Sequence, residues 1–144
     1  SHILLPDRFE KMYRGLKEFN SALKLYGVLY AHELETRNFQ LIQPYIDVVN
    51  FWIWNKDQIL DIDRHMSLCE SKFPGKPILM GVFIHEYGRA DVGNPPGLLR
   101  YQLAKAREYL AQKRIEGIVI LGDREIKKWP ESAQAVKGYL EAQK

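Results

Sequence analysis

The sequence predicts an α/β fold with parallel strands, and three observations predict it. Four short apolar segments, 24–35, 47–55, 77–88 and 116–125, each end abruptly in polar and aromatic residues, and each is followed by a stretch with helical spacing. The chain also opens on a helix with no strand before it and closes on another. Strands joined through helices are parallel, because a parallel partner cannot be reached by a tight turn, and such crossovers are right-handed. Two architectures satisfy this pattern: the last four βα units of a (βα)8 barrel, or a small open parallel α/β sheet. The aromatic and polar loading of all four strand ends favours the barrel, since an open sheet gathers its ligand contacts at one switch point. With 144 residues the chain reads as one α/β domain, 1–144, that could be a fragment of a larger barrel.

Taken in order, Pro6-Asp7 marks a helix start, because proline suits the first helical turn. Phe9, Met12, Tyr13, Leu16 and Phe19 then recur at helical spacing. From Lys24 the pattern changes to a β-rich apolar run through Tyr30, followed by His32, Glu33 and Glu35. Residues 37–45 form a short helix candidate broken by Pro44. Residues 47–54 read as a strand, and 57–72 as a helix with Ile59, Leu60, Ile62, Met66 and Leu68 facing a sheet. His65, in the middle of that helix, is expected at the surface or an interface. A turn at 73–77 leads into the third strand, which ends at Glu86-Tyr87-Gly88. The loop 89–97 carries two glycines and Pro95-Pro96, and its length suits binding. Residues 98–114 are the clearest helix, with Leu99, Leu103, Ala106 and Leu110 on one stripe. The fourth strand and Lys127-Lys128-Trp129-Pro130 lead to a closing helix over 131–143. Runs this apolar are expected to be buried on both faces of their sheet.

Composition removes several classes. The net charge is only +3 and the lysines and arginines are scattered, so no nucleic-acid partner is indicated. No apolar run approaches a membrane span of about 20 residues. The lone cysteine, Cys69, has no basic neighbour to activate it and reads as a structural thiol. Ser1-His2 lacks signal-peptide character and reads as a cloning remnant, which would leave the natural start upstream.

The strand ends LYAHELE, FWIWN, IHEYG and ILGDRE, with the closing helix after Lys128-Trp129-Pro130, resemble the carboxyl half of TIM-barrel proteins related to glycoside hydrolases. The resemblance spans about residues 23–144 and is one of general pattern, without a signature diagnostic of one family. It implies a carbohydrate ligand, bound or hydrolysed at the carboxyl ends of the strands, with no cofactor. If the four strands are the fifth to the eighth, Glu86 ends the seventh, where many retaining barrel glycosidases place their nucleophile. The usual acid of that group would lie on the fourth strand, outside this chain.

Three kinds of residue fit that chemistry. Trp52 and Trp54 alternate on one face of their strand with Asn50 below them; an indole stacks on a pyranose, and the alternative is core filling. Glu33, Glu86 and Asp123 end different strands, and glycoside hydrolysis needs two carboxyl groups across a cleft; each could instead cap a helix or stand in solvent at a loop mouth. Strict alternation groups Glu86 with Met80, Val82 and Ile84 and sends His85 and Tyr87 to the other face, unless a bulge intervenes. His32 and His85 precede Glu33 and Glu86 in matching His-Glu pairs, which could move protons or orient a carboxylate. His32, His85 and Asp123 could also ligate a metal, as in hydrolase-type barrels, but the intervening strand offers tryptophans where a ligand histidine is expected, so no metal is assigned. Gly122-Asp123-Arg124 and the turn at 93–97 could cradle a phosphate, and turn chemistry explains them equally. A barrel scaffold that binds without catalysis is the remaining class. Carboxyl groups about 5 to 9.5 Å apart would mark a hydrolase, whereas carboxylates engaged by arginine would mark binding alone. A half-barrel would leave its outer strands unpaired, which implies a homodimer or a contact with a missing amino-terminal half.

Overall fold

The computed structural model describes residues 5–86, 89–122 and 125–142. Helix α1 (Pro6–Phe19) begins on its proline, carries Asp7 in the first turn and Lys17 in the last, and so complements its own dipole. It is tied to the sheet through Asp47: the Tyr13 hydroxyl donates to Oδ1 at 3.3 Å, while the Leu25 N–H and Lys17 Nζ reach Oδ2 at 2.7 and 2.9 Å. Burial opposes the charge on Asp47, but these donors outweigh it and hold the carboxyl below its ordinary range.

Four strands follow, β1 (Tyr26–Tyr30), β2 (Val48–Trp52), β3 (Ile78–Phe83) and, later in the chain, β6 (Gly117–Leu121). They form one sheet in the order β1-β2-β3-β6, parallel throughout. Within this chain, then, the strands form an open parallel α/β sheet, the smaller of the two predicted architectures, and among the described residues no barrel closes. Between the strands lie α2 (Ala31–Leu34), a 3-10 turn (Gln43–Tyr45), α3 (Lys56–Ile59), α4 (Ile62–Lys72) and α5 (Pro96–Ala111), and the chain ends in α6 (Glu125–Lys128) and α7 (Pro130–Glu141). No helix among the described residues is long and apolar enough to cross a membrane.

The helices cover one face of this sheet. Leu29, Val49, Phe51, Met80 and Val82 are buried there against Ile62, Met66, Leu99, Leu103, Ala106 and Val136. Tyr26 and Val28 on the alternate parity are 51% exposed, and Leu121 is 48% exposed. The expected burial on both faces holds for the central strands, where Val48, Trp52 and Phe83 are buried as well, and fails at the outer strands β1 and β6. Strands that always step the same way, through crossovers of one hand, lay the helices that connect them on the same side.

Other differences have local causes. The first strand stops at Tyr30, and His32 and Glu33 fall on α2, where Ala31 and Leu34 supply a buried helical pair. Residues 37–45 yield only the 3-10 turn, because Pro44 fits a first turn and no longer helix. The helix over 57–72 is two, α3 and α4, separated at Leu60, which is exposed rather than facing the sheet. His65 is buried, since Ile62, His65, Met66 and Cys69 share one stripe of α4. Burial pushes its imidazole towards the neutral form. Cys69 is wholly buried and its thiol is raised to about 12 by that burial, as a structural thiol would be. The loop at 89–97 contains a strand: β4 (His85–Glu86) and β5 (Arg89–Gly93) make an antiparallel hairpin apart from the main sheet.

Candidate functional site

The last residues of the four parallel strands, Tyr30, Trp52, Phe83 and Leu121, point to the uncovered face at its carboxyl edge. The register pairs Tyr30 with Trp52, Trp52 with Gly81, and Phe83 with Leu121. With Val28 and Asn50 one layer below, and Trp54 and His85 just beyond their strands, they line a hollow of about 390 Å³. Alternation explains the set: residues of one parity reach the helices and those of the other reach the hollow. Two further hollows, between α5 and α7 and beside α1, have similar volumes but lie away from the strand ends.

The walls are aromatic. Trp54 meets Tyr30 edge-on at 4.2 Å between ring centroids, and His32 stacks on the same tyrosine at 5.7 Å. Trp52 packs against Phe83 at 4.5 Å, and Phe83 meets His85 at 5.5 Å and Trp54 at 5.9 Å. Trp54 is partly exposed, whereas Trp52 is only 6% exposed. Three of the lining residues hold a buried polar atom without a hydrogen-bond partner: Asn50 Oδ1, Trp52 Nε1 and His85 Nδ1. Each such group costs about 1–3 kcal/mol relative to a bonded one, and here they gather around a single hollow.

Glu33 is otherwise engaged. Its Oε2 accepts the Tyr30 N–H at 3.3 Å and its Oε1 pairs with Arg37 at 2.9 Å, so it caps α2 and balances a cation. Glu86 contributes its backbone to β4, opposite Arg89 and beside a register irregularity. Its side chain, with Tyr87 and Asp123, lies outside the described residues. The structure thus brings Asn50, Trp52, Trp54 and His85 together, sets His32 behind Tyr30, and leaves Glu33 in its cap. Among the described residues no group of three or more His, Cys, Asp or Glu could hold a metal.

No family model, curated protein or solved structure matches the chain. The site therefore has to be read from its own chemistry. Tyr30, Phe83, Val28 and Leu121 line the hollow although the sequence reading did not single them out; the parity that pairs Trp52 with Trp54 also groups Val28 with Tyr30, and this was the available signal. Asn94 was missed as well. It is buried, donates from Nδ2 to the Phe83 carbonyl at 3.1 Å and from its backbone N–H to the Ile84 carbonyl at 2.8 Å, fixing the chain at the end of β3.

Proposed function

We propose that the chain binds a carbohydrate in the hollow at the carboxyl edge of its open sheet face, and that this face is the interior of a glycosidase-like barrel. A further set of strands, from an amino-terminal half or a second copy, would complete such a barrel. The observation that carries the reading is the combination of ring faces and edges with unpaired polar atoms. Sugars present apolar C–H faces to rings and hydroxyls that both donate and accept, which matches the rings of the hollow and the unpaired Asn50, Trp52 and His85 atoms beneath its surface. Binding is favoured over hydrolysis for the described carboxylate, because Glu33 is held by Arg37 and the Tyr30 N–H.

Calorimetric titration with neutral oligosaccharides tests this. Binding should be detected, and Trp54→Ala should weaken it by about 1–3 kcal/mol, by analogy with other stacking platforms. If hydrolysis accompanies binding, Glu86→Gln should keep affinity and abolish turnover, since it removes charge and preserves shape. Undiminished affinity in the Trp54 variant would refute the platform, and undiminished turnover in the Glu86 variant would remove that residue from any mechanism.

A further inference from the structure

We infer that Gly81 is the specificity-determining position of this hollow, because its missing side chain is what lets the Trp52 indole lie across β3 and form the closed floor beneath an uncharged sugar. The ligand in this inference rests on the carbohydrate reading, while the geometry does not. Gly81 occupies the interior of a central strand, where glycine has the most freedom to lose and marks a close approach. A β-carbon placed there would overlap Cδ2, Cε2 and Cε3 of Trp52, its register partner on β2. The strand has little room to retreat, because its Gly81 carbonyl accepts a 3.1 Å hydrogen bond from Nε2 of Gln102, itself 1% exposed on α5. Phe83, two residues further on the same face, closes the other side of the indole at 4.5 Å. The ring is thus bracketed by backbone beneath and an aromatic beside it. Among the described residues, none that lines the hollow carries a carboxylate, ammonium or guanidinium group, and the ligand class inferred from them is uncharged.

Gly81→Ala tests this with two readouts. Hydrogen exchange at the Trp52 indole N–H, followed by NMR, should accelerate as the ring is driven out, and affinity for a neutral oligosaccharide should fall by about tenfold or more. Should the single variant fail to fold, Gly81→Ala combined with Trp52→Val supplies the missing space and should fold without binding. Unchanged exchange in Gly81→Ala, or a double variant no better folded than the single one, would overturn the inference. So would an acidic oligosaccharide binding the native chain as tightly as a neutral one. If exchange accelerates but no sugar binds the native chain, the carbohydrate reading and the ligand class fall while the placement of Trp52 by Gly81 stands.

Discussion

The two faces of the parallel sheet are built from the same strands and obey different rules. On the covered face Val49, Phe51, Met80 and Val82 are fully buried, wholly apolar, and packed by helices. On the open face Asn50 and Trp52 alternate with them, two polar atoms there lack partners, and Val28 and Leu121 stay half exposed. The difference teaches that one set of strands can carry a packed face and a bare one, and the proposed sugar ligand is what would unite the rings and unpaired polar atoms of the second.

The largest effect should come from the covered face. Phe51 is among the largest fully buried side chains, in the strand next to the centre of the core. Phe51→Ala should destabilise by about 3–5 kcal/mol through lost burial and the void left behind, measured by denaturant unfolding. A loss below about 1 kcal/mol would mean that the core can collapse around the gap and that the two faces are less distinct than argued.

Acid should separate the faces next. His65 belongs to the covered side, and desolvation is the main cause that lowers its affinity for a proton, with Arg64 adding to it against Asp61 and Glu35. The unfolded chain takes up a proton near pH 6.5 that the folded chain resists, so stability falls as pH drops through and below that value. His65→Leu should flatten the slope there. Asp63 acts lower down: Lys105 and the Tyr109 hydroxyl depress its carboxyl, so its contribution is present above about pH 4 and is lost as pH falls further. A native chain whose unfolding free energy is level between pH 7 and 5 would contradict the assignment to His65.

Much of this contrast was legible beforehand, and the illegible part has physical reasons. That the four strands are parallel followed from apolar runs separated by helical ones, and Trp52, Trp54 and Asn50 were assigned to one face by period alone. Which face the helices leave bare does not follow from periodicity, since a residue of either parity reads as equally apolar. His65 misled because its polar type was weighed above its place on the α4 stripe. The hairpin at 85–93 was hidden because its strands are short and rich in Arg, Asp and Gly, poor strand formers whose pairing depends on the fixed end of β3. Gly81 gave no signal at all. Its role depends on the neighbouring strand's indole, and only the register supplies that.

The smallest effect on stability is the most discriminating for the open face. Asn50→Leu keeps approximate size and removes a buried acceptor that has no donor. Replacing such a group by an apolar one of similar shape is near neutral or stabilising, so unfolding free energy should stay level or rise by up to about 1 kcal/mol. The polar group would then be retained for a reason other than the fold, and that reason should appear as weakened sugar binding in the same variant. Were Asn50→Leu to lower stability by about 2 kcal/mol or more, the amide would be acting as a structural group, and the open face would lose its claim to differ from the covered one.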